Sequence, residues 1–361
     1  MPLPQITPND TLHPSAGKAA QRFLEANNRL KDQSYWPVRM FTACNLFLWH
    51  LEAFAKDEEP VQLFADEFNR AAGLLDSIAA SGICRNQFPS NDVNQLTEDR
   101  FEDTVSGLFS DIWVGMTDED YFDQSYEFTR ERLTKNGIDP EKLFGDKVVV
   151  DAGCGGGKFS AAIARFGASK VIGLDIGDKG LEFAREQSKK VPYGDRLDYR
   201  HGSLLDIPLP EASVDMVWSN GVIHHTLGYE KCVEEFARVI RPGGDLFLYV
   251  NGRFGLFELL LDTLRLAMAS VPRSLFQHYL VLMGINSGRI YWIMDCLYAP
   301  YEWKSKKEVV EMLRHNGFED IVQLTRGVAI DQIEQVSTNL PYAEAKYGEA
   351  QLKFLARRSA S

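Results

Sequence analysis

The sequence predicts a doubly wound α/β fold, in which a mostly parallel sheet carries helices on both faces. Two observations predict it. The run Val148–Val150 is β-branched, follows a turn and precedes a cluster of glycines, as expected of a central strand that is buried on both faces. Strand and helix patterns then alternate up to residue 250, and such alternation indicates a parallel sheet with right-handed crossovers.

The elements of this fold can be placed in order along the chain. Apolar residues recur at helical spacing from Lys18 to Ala80, with a break at Asp57–Pro60, which predicts an N-terminal helical region. Residues 254–300 are helical in pattern and rich in aromatic side chains, which predicts a helical cap insertion. Elsewhere after Val150, the predicted helices cover residues 158–166, 180–190, 229–240 and 305–316, and the predicted strands cover residues 170–174, 198–201, 214–219, 245–250, 319–324 and 351–356.

Length and pattern together predict the domain organisation. The chain has 361 residues, which is more than one average domain and less than three. We predict an N-terminal helical region (1–110) and a ligand-binding core (111–251), of which 111–132 could form a lid. The cap insertion (252–303) and a C-terminal segment that completes the core (304–361) follow.

Composition and charge indicate a soluble globular protein and exclude several classes of partner. The net charge of −12 argues against a surface for nucleic acid or anionic lipid. The most apolar stretch, Phe254–Val271, is broken by Glu258, Asp262 and Arg265, so we expect no membrane span. The cysteines are scattered and form no C-x-x-C pair, which predicts neither a disulfide framework nor a zinc site. Reduced thiols fit a cytoplasmic protein.

A glycine-rich loop follows the first predicted strand, and it is the strongest functional signal in the sequence. Glycines at this position let the backbone approach a ligand that a Cβ atom would exclude. The spacing D-x-G-x-G-x-G, formed by Asp151, Gly153, Gly155 and Gly157, fits neither of two common phosphate-binding loops. A Walker loop needs Ser or Thr after its lysine, and a dinucleotide loop needs glycine where Lys158 stands.

This spacing resembles motif I of the class I S-adenosylmethionine (SAM) dependent methyltransferases. The resemblance is strongest over Lys147–Val250 and includes Asp175, HGSLLDIPLPEASVDMVWSNGVIHHT and RPGGDLFLYV. It implies a doubly wound Rossmann-like class I methyltransferase sheet that binds SAM as cofactor. It also implies that Asp175 contacts both ribose hydroxyls, since a carboxylate can accept two parallel hydrogen bonds from a diol.

The same resemblance implies further cofactor contacts. Ile176 and Asn220 are implied to bind the cofactor together with Asp151 and the loop glycines. Ser203 stands where many members of the family carry an acid that faces the adenine amine. Its hydroxyl can still accept that hydrogen bond, and the backbone N–H of Leu204 can serve the adenine ring.

Residues that follow the fourth predicted strand are the candidates for catalysis. Asn220, His224 and His225 fall at the carboxyl end of that strand, where an open α/β sheet binds ligands. Methyl transfer needs alignment of the reacting atoms, and a general base is required only for an acceptor that must lose a proton. Imidazole suits that role, whereas packing or capping is the alternative for either histidine. No acidic cluster indicates a metal site.

Two aromatic segments could close over the acceptor. In the predicted lid, Trp113, Tyr121 and Tyr126 could face the sulfonium of the cofactor through cation–π attraction. Residues 254–303 form the second segment. The alternative for both segments is core packing or a homodimer interface. A dry aromatic pocket in a negatively charged protein favours a small-molecule substrate.

Three functions are open at this point. The leading prediction is transfer of a methyl group from SAM to oxygen or nitrogen of a small-molecule acceptor. In the first alternative, the same fold uses the aminocarboxypropyl arm of SAM, cyclises it to azetidine-2-carboxylate and releases methylthioadenosine. In the second, the protein binds SAM without catalysis, although the intact glycine loop and Asp175 count against that function.

Overall fold

The structure, a computed structural model, describes residues 12–82, 117–285, 287–299 and 301–360. The chain divides into two compact units. The sheet unit comprises residues 99–253, 300–338 and 349–361, and the helical unit comprises residues 1–98, 254–299 and 339–348. The four-part division made from the sequence stays a prediction. Within the described ranges, no helix is long and apolar enough to cross a membrane.

The sheet unit is built on one mixed seven-stranded sheet. Its strands are β1 (Val148–Ala152), β2 (Lys170–Asp175), β3 (Leu197–His201), β4 (Val214–Asn220), β5 (Ile240–Asn251), β6 (Phe318–Gln323) and β7 (Gln351–Arg358). They lie in the order β3-β2-β1-β4-β5-β7-β6, in which β1 to β5 are parallel and β7 is antiparallel to both neighbours. Strand order reverses between β1 and β4, and the carboxyl ends there form the crevice in which such sheets bind ligands. The predicted doubly wound sheet is confirmed.

Helices cover both faces of the sheet and build the helical unit. In chain order they are α1 (Pro14–Asn28), α2 (Trp36–Phe54), α3 (Pro60–Ser81), α4 (Ser125–Thr134), α5 (Pro140–Phe144), α6 (Lys158–Arg165), α7 (Asp178–Ser188), α8 (Tyr229–Val239), α9 (Leu256–Met268), α10 (Arg273–Leu282), α11 (Ser287–Tyr298), α12 (Lys306–His315), α13 (Gln332–Ser337) and α14 (Ala343–Tyr347). A π-helical segment, Glu119–Gln124, leads directly into α4. The predicted N-terminal helical region is therefore present as α1 to α3.

Two apolar layers hold the helices of the sheet unit to the sheet. On one face, Trp218 stacks on Phe247 with ring centroids 3.7 Å apart, and Phe144 meets Trp218 edge-on. On the other face, Phe236 of α8 and Leu313 of α12 are fully buried. Burial of side chains of this size stabilises the fold by roughly 1.5–3 kcal/mol each. The sheet is thus a rigid platform for the loops at its carboxyl edge.

The helical unit has a core of its own. Phe64 stacks on Phe68 at 4.2 Å, and α1 packs on α3 and on α9. Arg39 of α2 is buried here, and its guanidinium donates to the Ala267 carbonyl and, at 2.7 Å, to the Ser270 hydroxyl. The Ala267 carbonyl lies in the last turn of α9, where helices leave carbonyls without an intrahelical donor. Arg39 therefore satisfies the end of a buried helix.

Candidate cofactor-binding and active site

The glycine loop connects β1 to α6 through a tight turn at the carboxyl edge of the sheet. Gly153, Gly155 and Gly157 have φ angles of +80°, +53° and +81°, which residues with a Cβ atom rarely adopt. The backbone N–H groups of Gly153 and Cys154 both donate to the Leu174 carbonyl at 2.9 Å. The loop therefore lies across the ends of both β1 and β2.

Gly157 is a position where a larger residue would disturb the loop. A Cβ atom there would lie 2.6 Å from the Tyr199 hydroxyl and 2.8 Å from the Ala184 Cβ. We expect Gly157→Ala to lower the free energy of unfolding by about 2–5 kcal/mol, because positive φ costs roughly 1–2 kcal/mol and overpacking roughly 1–3 kcal/mol. It should also weaken SAM binding. Urea unfolding and calorimetry measure the two effects.

Gly137→Ala is the matched control for this prediction. Gly137 has a φ of +74°, yet no atom lies within 4 Å of the place where its Cβ would be. It should show the backbone strain without the clash and leave SAM affinity unchanged. Equal losses of stability in the two variants would contradict the steric argument.

Asp175 is held at the end of β2 with both carboxylate oxygens facing backbone donors. Gly155 N–H donates to one oxygen and Gly177 N–H to the other, each at 2.8 Å. Burial raises the pKa of Asp175, and the hydrogen bonds from these two groups oppose that shift. A carboxylate has about four acceptor sites, so capacity is left for a ribose diol. These residues fit the SAM ribose.

Asp151 lies beneath the loop at the end of β1. Its side chain is buried and accepts a hydrogen bond of 2.6 Å from the Ser160 hydroxyl of α6. Burial raises the pKa of Asp151 to about 7, and the nearby Asp175 carboxylate adds to the shift. Asp151 therefore ties the strand before the loop to the helix after it, at a place where a cationic ligand group would favour the ionised acid.

The residues expected near the adenine come together at the ends of β2 and β3. Asp175 pairs with His201 in the sheet, and the Gly202 N–H donates to the Asp175 carbonyl at 3.0 Å. The loop that follows carries Ser203, whose hydroxyl accepts the Leu205 N–H at 3.2 Å. Leu204 is buried in the apolar core, and Ile176 is half-buried next to Asp175 in the chain. Their contacts with adenine stay a prediction.

The two candidate histidines lie in a short 3₁₀ turn, Ile223–His225, just after β4. Both rings are buried, with centroids 4.2 Å apart, and Tyr301 packs against them at 5.0 and 4.4 Å. The Nε2 atom of His224 lies 3.4 Å from the Asn251 side-chain amide. The backbone carbonyl of His224 accepts a hydrogen bond from the Glu302 N–H at 2.8 Å. Asn220 is the last residue of β4. The structure therefore brings the predicted catalytic residues to one edge, but their roles stay predictions.

The predicted lid residues have three different placements. Trp113 lies outside the described residues. Tyr121 is buried, and its hydroxyl donates to the Gly156 carbonyl of the glycine loop at 2.7 Å. Tyr126 stacks on Phe166 at 4.3 Å, beneath the Arg165 guanidinium at 4.0 Å. Tyr121 therefore touches the cofactor loop, whereas the ring of Tyr126 packs on the protein core.

A buried ionic cluster near the same edge was not predicted from the sequence. Asn220, Tyr249 and Lys353 are register partners across β4, β5 and β7, so their side chains share one face. Lys353 Nζ donates to Asp331 at 2.6 Å, and Arg132 of α4 donates to both oxygens of the same carboxylate at 2.7 and 2.9 Å. Burial lowers the pKa of Lys353 to about 8. No local motif signals a cluster whose members lie so far apart in the chain.

Known proteins share the region that carries this site. Residues 150–248 match the family model described as a methyltransferase domain. The chain is 27% identical over 231 residues to 27-O-demethylrifamycin SV methyltransferase of Amycolatopsis mediterranei, covering 61% of this chain and 84% of that protein. It is 35% identical over 130 residues to a protein of Mycolicibacterium smegmatis named a probable S-adenosylmethionine-dependent methyltransferase, covering 36% of this chain and 45% of that protein.

Solved structures of methyltransferases also align with the chain. One is geranyl diphosphate C-methyltransferase from Streptomyces coelicolor A3(2), in complex with Mg²⁺, geranyl diphosphate and S-adenosyl-L-homocysteine (SAH). It is 15% identical, with a TM-score of 0.40, and the alignment covers 66% of this chain and 78% of that one. The domain match and the sequence relatives confirm what the glycine loop indicated. Residues 150–248 therefore form a methyltransferase domain of the class I SAM-dependent kind, and SAM is its cofactor.

Proposed function

We propose that the protein transfers the methyl group of SAM to an oxygen or nitrogen of a small organic acceptor. The observation that carries this proposal is the meeting of the glycine loop, Asp175 and the histidine turn at one edge of the sheet. The relative 27-O-demethylrifamycin SV methyltransferase acts on a small molecule, and that similarity supports the same class of acceptor here.

The residues of the chain have three tasks in this reaction. When bound, SAM supplies an electrophilic methyl group, so the protein mainly aligns the reactants and excludes water. Asp175 and the glycine loop hold the cofactor in place. Tyr121 closes the loop on the lid side. The turn Ile223–His225 follows β4 at the ligand-binding edge of the sheet, where an acceptor would bind.

We assign proton removal from the acceptor to His225. A hydroxyl or ammonium acceptor must lose a proton, and imidazole accepts protons near neutral pH. His224 instead has a structural place, because its Nε2 meets the Asn251 amide and its carbonyl accepts the Glu302 N–H. The two neighbouring histidines thus differ in task.

We expect His225→Ala to bind SAH normally and to lose turnover by about 10²–10⁴-fold at neutral pH, the usual contribution of a general base. SAH production in the presence of a small-metabolite extract measures turnover, and calorimetry measures binding. His224→Ala is the paired variant, and it should lower the melting temperature. Full turnover by His225→Ala would remove His225 from the mechanism.

The proposed reaction can be tested without knowing the acceptor. The protein is incubated with SAM carrying a deuterated methyl group and with a small-metabolite extract. Mass spectrometry should find the labelled methyl on a metabolite through oxygen or nitrogen, and Asp175→Ala should form none. Label found only on protein or nucleic acid, or on carbon, would contradict the proposal.

The cellular setting that we propose follows from charge and thiols. The described cysteines Cys44, Cys154, Cys232 and Cys296 are all buried free thiols, which supports a reducing cytoplasm. The net charge of −12 disfavours nucleic acid as acceptor.

A further inference from the structure

Two buried tyrosine hydroxyls lie on consecutive carbonyls of the glycine loop. Tyr121, from the π-helical segment, donates to the Gly156 carbonyl at 2.7 Å. Tyr199, from β3, places its hydroxyl 3.3 Å from the Gly157 carbonyl. Only 1% of Tyr121 and 6% of Tyr199 are exposed, and the two hydroxyls also interact with each other. Side chains from two separate elements therefore converge on one turn.

These contacts fix the orientation of the loop peptides. The peptide between Gly156 and Gly157 is held at both ends, because its carbonyl accepts from Tyr121 and its N–H donates to the Cys154 carbonyl at 2.9 Å. The Gly157 carbonyl also accepts the Ala161 N–H at 3.0 Å, in the first turn of α6. Backbone torsions of glycine are otherwise broadly permitted. The tyrosines restrict this freedom.

Tyr121 is the main contact of the π-helical segment with the rest of the protein. Among residues 117–124, Tyr121 alone is buried, and most of the others are exposed. The ion pairs Asp118–Lys190 and Asp123–Arg165 are exposed, and such pairs stabilise weakly. π-Helical turns are rare and occur often at functional sites. The segment is therefore built to bring one phenol onto the glycine loop.

The ring of Tyr199 fits a space that two glycines leave open. A Cβ atom at Gly157 would lie 2.6 Å from the Tyr199 hydroxyl, and one at Gly173 would lie 2.6 Å from the Tyr199 ring. Gly157 belongs to the loop, whereas Gly173 lies inside β2. The glycine at 173 thus serves the tyrosine rather than the cofactor.

We propose that Tyr121 and Tyr199 are positioning residues, which set the glycine loop in its SAM-binding conformation before SAM arrives. Ordering a loop during binding lowers affinity, and a preformed loop avoids that cost. This inference goes beyond the methyl acceptor and the base, and it holds for any reaction in which this loop binds SAM. The role differs from cation–π contact with the sulfonium, which the sequence predicted for Tyr121.

Tyr121→Phe is the decisive variant, because it removes the hydroxyl and keeps the ring. SAH binding, measured by calorimetry, should weaken by about tenfold, the factor to which 1.4 kcal/mol corresponds. Tyr193→Phe is the matched control. Tyr193 lies near Tyr121 and is half-buried, but its hydroxyl makes no hydrogen bond within the described residues. SAH affinity of this control should stay within about twofold of the wild type.

Hydrogen exchange separates positioning from general stability. In Tyr121→Phe without ligand, amides of a peptide spanning residues 152–165 should exchange faster than in the wild type, while amides of β4 and β5 should not. Saturating SAH should restore protection. Burial raises the pKa of both phenols well above the ordinary value. The difference in SAH affinity should therefore be constant between pH 6 and 9.

A second variant keeps the proposal testable if Tyr121→Phe does not fold. Tyr199→Phe should weaken SAH binding in the same direction, and the double variant should lose less than the sum of the two single losses, since the hydroxyls act on adjacent peptides. Wild-type SAH affinity in a folded Tyr121→Phe or Tyr199→Phe would overturn the proposal. So would equal weakening in Tyr193→Phe.

Discussion

Replacing Asp175 with alanine is expected to abolish measurable SAM binding. The carboxylate is fixed by N–H groups of Gly155 and Gly177, and it keeps acceptor sites for the two ribose hydroxyls. Each charge-assisted hydrogen bond contributes roughly 1.5–3 kcal/mol, so the loss of two weakens affinity by about 10²–10⁴-fold. Calorimetry with SAM and with SAH measures the effect directly.

Asp178→Ala is the control for this prediction. Asp178 lies three residues further along the chain, and its replacement removes the same charge. Its side chain, however, is 75% exposed and contacts His201 at the surface. SAM affinity in this variant should remain close to that of the wild type. Near-native affinity in a folded Asp175→Ala would overturn the assignment of the ribose-binding acid.

Replacing Asp331 with alanine is expected to cause the largest loss of stability. Lys353 is 1% exposed, and both it and Arg132 donate to the Asp331 carboxylate. Removing one partner of a buried ion pair leaves an uncompensated charge and costs about 3–5 kcal/mol. Urea unfolding at pH 7 measures the loss of unfolding free energy. Glu127→Ala is the control, because it removes an exposed ion pair from α4, the helix that carries Arg132. It should lower the unfolding free energy by less than about 0.5 kcal/mol.

The pH dependence of the Asp331→Ala effect has a defined sign. Burial lowers the pKa of Lys353 to about 8 in the folded protein, against 10.5 as its ordinary value. The folded state therefore binds fewer protons than the unfolded state above pH 8, and stability rises with pH there. Without Asp331 the folded pKa falls further. The loss of unfolding free energy caused by Asp331→Ala should consequently be smaller at pH 9 than at pH 7. A loss that is the same at both pH values, or one below about 1 kcal/mol at pH 7, would contradict the buried charge pair.

Local sequence patterns were sufficient to predict most elements of the sheet unit. The predicted helix 305–316 is α12, which begins after Ser305 in a capping box with Glu308 and is followed by Gly317 at a φ of +74°. The predicted strand 214–219 is β4, one residue longer. Because parallel strands end at one edge, the sequence also placed Asp151, Asp175 and the residues after β4 together.

Contacts between distant parts of the chain could not be predicted in this way. Arg132 and Asp331 are 199 residues apart, and nothing near either residue indicates the other. The insertion of antiparallel β7 between β5 and β6 is likewise a tertiary feature. Tyr121 was predicted to face the cofactor, but no local pattern signalled the π-helical segment that places its hydroxyl on the Gly156 carbonyl.

The most direct test of methyl transfer is mass spectrometry of the nucleosides formed from SAM. The purified protein is incubated with SAM, with and without a small-metabolite extract, and Asp175→Ala is run in parallel. Methyl transfer to a small acceptor predicts SAH that depends on both the extract and Asp175. Methylthioadenosine formed from SAM alone, above the uncatalysed background, would contradict methyl transfer and assign the protein to aminocarboxypropyl chemistry.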